Sequence, residues 1–527
     1  MVILVSGYII RRPLGGLTWH YLNYVLGLLR LGHDVYYIED SEDQPACFDP
    51  TKVPPRGDLS PDESRSPHEY VQKDPSYGLN FASTVFTRFE MPERWAYYDA
   101  HRSMWCGPAA EHIDKIISSA DLLLNVSNSI LLRPWLLKIP ARALIDTDPV
   151  FGQLRHKHLP AWRERAMQHT SFLTFGENFG NPGCTIPSDG LPWKPTRQPL
   201  VLDHWKTAVR PSADRFTTVL SWDSYPPGKD NAKQYGLKSD SFKPYWELPA
   251  RVNDMELELA IECPPGVWSR LESSGWKLRD GLAVSSDPWT YRDYIQSSGG
   301  EFSVAKEGYV TTRSGWFSER SAAYLASGRP VLTQETGFSE WMKTGEGVLP
   351  FNSPEEAVDG FARILGAYER HSIAAKELAE TYFDHSKVLP QLLDSAMART
   401  EIGDTANADI SRVYSDVLQV VTAMIPPDEC LILVDDQQMG LEGMAAGRKC
   451  FPFLERDGLH WGNPPNDGVA VTELERMRLE GASFLLLARP AFWWFYHYSG
   501  FIAHLDSNFE TMQRTPNFVL YDLRKSL

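Results

Sequence analysis

The sequence is poor in positive charge, has no long apolar run, and shows no pairing among its few cysteines. Over 527 residues, 52 Lys and Arg stand against 68 Asp and Glu, a formal charge of −16. A general nucleic-acid or anionic-membrane binder needs basic surface, so both classes are excluded, although a local basic pocket for a phosphate is not. The six cysteines, Cys47, Cys106, Cys184, Cys263, Cys430 and Cys450, form no CxxC and no His/Cys metal spacing, and they read as reduced, mostly buried thiols. No apolar run approaches a bilayer span. The opening MVILVSGYIIRRPLGG has a short apolar run followed, not preceded, by Arg11 and Arg12, which is the wrong order for a secretory leader. A soluble, cytoplasmic protein is therefore expected. No repeat of 20 to 50 residues is visible. What the chain does have is a hydrophobic content of 43% with 17 Trp and 22 Tyr, enough for real cores and for stacking on sugar rings or bases. Its length predicts roughly three domains.

The chain opens with a buried-type strand over 1–5, a loop holding Gly7, Gly15 and Gly16, a helical apolar spacing over 17–31, and a second strand over 33–38 that ends in Glu39 and Asp40. Strand, glycine loop, helix and strand open a doubly wound α/β domain. Residues 41–80, rich in Pro, Asp and Ser, read as a surface insertion. ADLLLN (120–125), ARALI (141–145) and SFLTF (171–175) read as further parallel strands. Ligands of such sheets bind beyond the carboxyl ends of the strands, which marks Asp146, Asp148, Glu177 and Asn178. After a polar linker over 206–214, FTTVLSW (216–222) starts a second doubly wound domain, with later elements at 256–261, 291–297 and 302–305. Helices are expected at 354–369, 373–383 and 387–397. EIGDTANAD, from Glu401, reads as a second linker. Beyond it, strands at 430–434, 484–487 and 518–521, a Gly-rich bend at 440–447 and a helix over 472–480 predict a smaller α/β domain with an accessory role. The predicted division is thus 1–205, 206–400 and 401–527.

The most informative stretch is VAKEGYVTTRSGWFSERSAAYLASGRPVLTQETGF, 304–338. A loop of small and polar residues feeds a helix predicted over 319–327, Gly328 stops it, and a strand follows over 330–333. The free N–H groups and positive dipole of a helix start suit a diphosphate. Arg313, Ser314, Gly315 and Ser318 bring a guanidinium, hydroxyls and close backbone approach to that loop, and Lys238 and Lys306 are further cations.

Two signatures together resemble the bacterial glycosyltransferases of the GT-B fold, in which two Rossmann-like domains face each other across a cleft. One is the glycine loop, helix and GHDVYYIED of the N-terminal half. The more specific one is SGWFSERSAAYLASGRPVLTQETGF with EGVLPFNSPEEAVDGF after it. The likeness covers roughly residues 1–400. It implies a first, acceptor-binding domain and a second domain that holds a nucleotide-diphosphate sugar, with sugar transfer to an unidentified acceptor hydroxyl and no metal or other cofactor required. On that footing Gly15 and Gly16, Lys238, Lys306, Arg313, Ser314, Gly315, Ser318, Glu319, Glu335 and Thr336 form the donor set. His20, Asp146 and Asp148 are the catalytic candidates, and Glu177 and Asn178 lie on the acceptor side. The family's glutamate pair is missing, since Gly315 and Ala323 occupy its two places, so the stereochemical outcome stays open. The triplet Asp146-Thr147-Asp148 also resembles the metal-binding DxD of the other glycosyltransferase fold, which would imply Mn²⁺ or Mg²⁺. Trp193 and Trp222 are candidates for stacking on a sugar. An epimerase or hydrolase of nucleotide sugars, or a binding protein without catalysis, would use the same frame.

Overall fold

The chain, seen in a computed structural model, is described at every residue except 43–45, 56–57, 59–69, 103, 209–210, 253–254, 399, 437–438, 440–443, 457–458 and 527. The first sheet runs in the order Lys194–Pro195, Ser171–Thr174, Ala141–Asp146, Leu122–Val126, Val2–Ser6, Asp34–Asp40, Trp95–Asp99, Met104–Cys106. Its pairings are parallel except for the last, antiparallel one. Every residue of Leu122–Val126 and Ala141–Asp146 is buried, because helices cover both faces of the sheet and leave no polar alternation in its central strands. The second sheet is wholly parallel, in the order Lys277–Asp280, Glu256–Glu262, Arg215–Ser221, Gly300–Ser303, Val331–Gln334, Val348–Phe351. In each sheet the chain starts in the middle, winds to one side and returns to the other. That places a switch point beside Val2–Ser6 in one and beside Arg215–Ser221 in the other.

The molecule is thus α/β, with two Rossmann-like doubly wound sheets facing across a cleft, the architecture the GT-B resemblance implies. A third, smaller sheet runs Lys449–Pro452, Cys430–Val434, Phe484–Ala488, Phe518–Ser526, Phe509–Arg514, its first three strands parallel and its last two antiparallel. Helix His385–Met397 crosses back and packs on the first sheet. There Ser171 Oγ donates to the Ala396 carbonyl at 2.9 Å, and Leu389 and Leu392 share the buried core with Val25 and Leu173.

Two readings need correction. The run from Glu401 is no linker but the first turns of a 24-residue helix, Glu401–Met424. A single Gly costs a helix only about 1 kcal/mol, and the spacing of buried Val413, Val417, Val420 and Val421 anchors the whole element. Residues 41–80 are not surface throughout. Cys47–Phe48 pairs antiparallel with Val71–Gln72, both Cys47 and Phe48 are buried, and helix Ser76–Arg88 begins inside the span; 43–45, 56–57 and 59–69 lie outside the described residues. Half of the expected Gly-rich bend, 440–443, also lies outside them. All six cysteines are free thiols, three of them buried and three half-buried. No helix of the described residues is long and apolar enough to cross a membrane.

Candidate functional site

Between the two switch points lies a cavity of about 890 Å³, walled by residues from Tyr8 to Arg320. On its second-domain side the helix Glu319–Ala326 points its start into the cavity. Ser318 caps it, its hydroxyl accepting from the Arg320 N–H at 3.2 Å. The Arg320 side chain, directed back against the sheet, donates to Glu301 at 2.5 Å, to Ser303 Oγ at 2.6 Å and to the Val219 carbonyl at 2.8 Å. Burial alone would lower its pKa, but Glu301 outweighs burial and raises it, so the guanidinium is a fixed cation. Lys238 stands beside it, partly buried and with no hydrogen bond or ion pair among the described residues. Burial, then repulsion from Arg320 and Lys306, push its pKa down to about 7. Glu319, also on the cavity wall, makes no side-chain hydrogen bond or ion pair among the described residues, and its charge acts on Lys238, Lys306, Arg320 and His20.

Asp148 ties the two halves together. Its carboxylate receives Lys306 Nζ at 2.7 Å and the hydroxyls of Tyr225 and Tyr309, all from the second domain, with Arg155 at 3.5 Å from its own side. Burial would raise its pKa; Lys306 and Arg155 prevail and hold it below the ordinary value. Lys306 is itself shifted down, burial outweighing Asp148. Asp146 is engaged within its own domain. It accepts from Gln153 Nε2 and Thr174 Oγ1, each at 2.8 Å, and from the Asp148 N–H at 3.1 Å. Burial, helped by the charge of Asp148, raises its pKa. Both carboxylates of the DxD-like triplet are thus engaged with donors supplied by the chain itself. His20 reaches the cavity from the first helix, Gly15–Arg30, with its ring edge-on to Tyr21 and Phe175 and its Nδ1 shielded and unpartnered among the described residues. Burial lowers its pKa and the nearby charge of Glu319 opposes this.

The cavity therefore gathers Gly16, His20, Asp146, Asp148, Lys238, Lys306, Ser318 and Glu319 from the residues singled out in the sequence. The others sit elsewhere. Arg313 is on the outside, its side chain 54% exposed and paired with Glu340, because its backbone turns through a positive φ of 50° just before Ser314. Glu335 folds back to accept from the N–H groups of Gly337 and Ser339, and the Thr336 hydroxyl donates to the Trp316 carbonyl. Ser314, Gly315 and Asn178 form an interdomain seam. The Asn178 N–H donates to the Ser314 carbonyl at 3.1 Å, and its Nδ2 donates to the carbonyls of Arg313 at 3.1 Å and Gly337 at 2.9 Å. Gly315 permits this approach: at φ +77°, a Cβ there would stand 2.8 Å from the Asn178 nitrogen. Glu177 is paired with Arg197. Gly15 meets the second domain, not a phosphate; its N–H donates to the Ser285 carbonyl at 2.7 Å, and a Cβ would come within 2.2 Å of the Asp287 carbonyl oxygen. Trp193 and Trp222 are core residues, 6% and 8% exposed.

Several cavity residues escape sequence reasoning. Arg12 lies inside the opening glycine loop and Arg320 inside the 304–338 stretch, so their place in those segments could have found them. Tyr225, Tyr309 and Arg155 carry no local signal, because their common partner Asp148 lies far off in sequence for the two tyrosines.

No protein-family model and no curated protein matches the chain. Among solved structures it is similar to an alpha-glucosyltransferase (AGT) in complex with UDP, at 10% identity and a TM-score of 0.46, over 75% of this chain and 98% of that one. It is also similar to HepE of Anabaena in complex with UDP and glucose, at 11% identity and a TM-score of 0.44, over 76% and 100% of the two chains. A third is the sucrose-phosphate synthase of Thermosynechococcus elongatus, at 10% identity and a TM-score of 0.39, over 74% and 97%.

Proposed function

We propose that the chain is a glycosyltransferase. Its second domain holds the diphosphate of a nucleotide sugar against the start of helix Glu319–Ala326 and Lys238, and its first domain presents an acceptor hydroxyl near His20. The observation that carries this reading is Lys238, an ammonium on a cleft wall beside a helix start, which makes no ion pair among the described residues, the charges of Glu319 and Asp223 only partly offsetting its burial and its repulsion by Arg320 and Lys306. A diphosphate supplies the missing charge. In the transfer, the bond from the anomeric carbon to the diphosphate oxygen breaks and a new bond to the acceptor oxygen forms. The departing negative charge falls on the diphosphate, where Lys238 and the N–H groups at the start of helix Glu319–Ala326 meet it in place of a metal ion. The acceptor proton passes to His20, which burial keeps neutral and which the carboxylate of Glu319 steadies once it is charged.

The test is a thermal-shift panel of nucleoside diphosphates and their sugars, with Lys238→Met beside the parent. Stabilisation by at least one nucleoside diphosphate, lost in the variant, is expected. A parent that no member stabilises, or a variant stabilised equally, would overturn the reading. Turnover of the bound nucleotide sugar then separates transfer, which needs an added acceptor, from epimerisation or hydrolysis, which do not.

A further inference from the structure

We propose that the acceptor is anionic and that its negative group is held by Arg12, Arg155 and the hydroxyl of Tyr8 at the first-domain end of the cleft. This rests on the reading of the donor end given above and adds the chemical class of the second substrate.

The cations of that end are unequally neutralised. Arg11 is buried and accounted for: Glu39 lies 3.3 Å and Glu42 3.8 Å from its guanidinium. Arg12, next in the chain and on the cavity wall, is not. Its guanidinium donates to the Ala46 carbonyl and to the Arg11 carbonyl at 3.2 Å, and no carboxylate pairs with it among the described residues. Burial and the charge of Arg11 push its pKa down to about 10, the direction expected of a cation held without an anion. Arg155 is ion-paired among the described residues only with a carboxylate that it shares, although burial, which would lower its pKa, is outweighed by Asp148 together with Tyr225 and Asp146. Asp148 lies 3.5 Å from it and 2.7 Å from Lys306, so one negative charge serves two positive ones. Its guanidinium carbon lies 4.8 Å from the centre of the Tyr225 ring and 5.4 Å from that of Trp162.

Neutral donors line the same cavity. The ring of Tyr8 lies 4.6 Å from the Arg11 guanidinium carbon, and its hydroxyl makes no hydrogen bond among the described residues. Asn128, on the wall beside Ser127, has an Nδ2 that is shielded from solvent and lacks an acceptor among the described residues. Two guanidinium groups, a phenol and an amide thus line one cavity beside Glu42, a carboxylate itself shared between Arg11 at 3.8 Å and Arg165 at 3.9 Å, and donors so placed cost free energy until an anion meets them. The chain as a whole carries −16, so this surplus is local and not a general property of its surface. Trp162, on the same wall, offers a flat face for a sugar or other ring. A phosphate and a carboxylate satisfy this chemistry alike.

The experiment is titration calorimetry on the full-length protein, with the donor end first saturated by the nucleoside diphosphate that stabilises it most. Glucose 6-phosphate, glucuronate and glucose are the probes. The two anionic probes are expected to bind at least about tenfold tighter than glucose, and to lose that advantage as salt is raised toward about 1 M. The stronger of the two identifies phosphate or carboxylate as the group. Arg12→Gln and, separately, Arg155→Gln should each weaken the preferred anionic probe about tenfold while nucleoside diphosphate affinity stays within about twofold. Equal binding of glucose and the anions, no binding of either anion at millimolar concentration, or an anionic affinity that neither variant alters would each overturn the proposal. Should no nucleoside diphosphate bind, the titration is run on the free protein. Anion binding that still depends on Arg12 then upholds this inference while the donor reading falls.

Discussion

At the scale of single residues, the site is governed by which charges find partners. Lys238 makes no ion pair among the described residues, burial and the charges of Arg320 and Lys306 outweighing those of Glu319 and Asp223, and its pKa of about 7 makes nucleotide affinity a function of pH. A diphosphate favours the protonated ammonium, so affinity should hold steady below that value and fall as pH rises through it, by up to about tenfold per unit. Isothermal titration from pH 6 to 9 checks this, with Lys238→Met as the reference that removes the dependence on this group. His20 has the opposite sign. A base must be neutral to work, and burial lowers its pKa, so the rate should keep its plateau to lower pH than a free imidazole would allow and decline only below that. His20→Gln should cost about 10²-fold or more in kcat while leaving nucleoside diphosphate affinity near that of the parent. A pH–rate profile unchanged in this variant would remove the assignment. Arg313 shows what local sequence does not reveal: it belongs to a loop rich in phosphate-binding residue types, yet it lies outside the cavity and pairs with Glu340 at the surface. Arg313→Ala is expected to leave nucleotide affinity unaltered and to cost less than about 1 kcal/mol of stability in a denaturant titration.

At the scale of elements, the helix that presents the donor end is legible in the sequence almost to the residue. Small polar residues before Glu319, apolar spacing after it and Gly328 at its stop all report on neighbours a few positions away, and the helix runs Glu319–Ala326. The strand after it, Val331–Gln334, is shifted by one residue from the expected 330–333. Sequence misleads where composition and packing disagree. The Gly, Asp and Asn of EIGDTANAD suggest a break, but the apolar stripe of the following turns carries the helix through them. The seam between Ser314, Gly315 and Asn178 reads in sequence as donor on one side and acceptor on the other, since nothing in either segment tells that 135 or more residues of chain return to close it. Gly315→Ala combines a positive φ with a Cβ placed against the Asn178 backbone. It should therefore destabilise the protein by about 1–3 kcal/mol, read as a fall of several degrees in Tm. An unchanged Tm would show that the seam yields without cost.

At the scale of the whole molecule, the two sheets and the cleft follow from periodicity and from the rule that ligands gather beyond strand ends. The partners of Asp148 do not. Tyr225, Lys306 and Tyr309 are 77, 158 and 161 residues away, and only the closed tertiary structure brings them to one carboxylate. The return of helix His385–Met397 to the first sheet is equally invisible, because its apolar face fits either domain. That return bears on the third sheet. Thr400 still donates its N–H to the Thr170 carbonyl at 2.8 Å, so the first domain holds the chain as far as this residue. Beyond it, the third sheet has its own buried clusters around Ile432, Leu485, Trp494 and Phe501. Its polar ties to the first domain include Arg489 to Glu164 at 3.4 Å and Lys73 to the Trp461 carbonyl at 2.8 Å, contacts at partly exposed groups that contribute little. The cavity wall is built from residues between Tyr8 and Arg320. A chain ended after Thr400 should therefore still fold cooperatively and bind the preferred nucleoside diphosphate within about threefold of the full chain. Calorimetric unfolding and titration measure both. Loss of nucleotide binding in a shortened chain that remains folded would mean that the third sheet shapes the cleft.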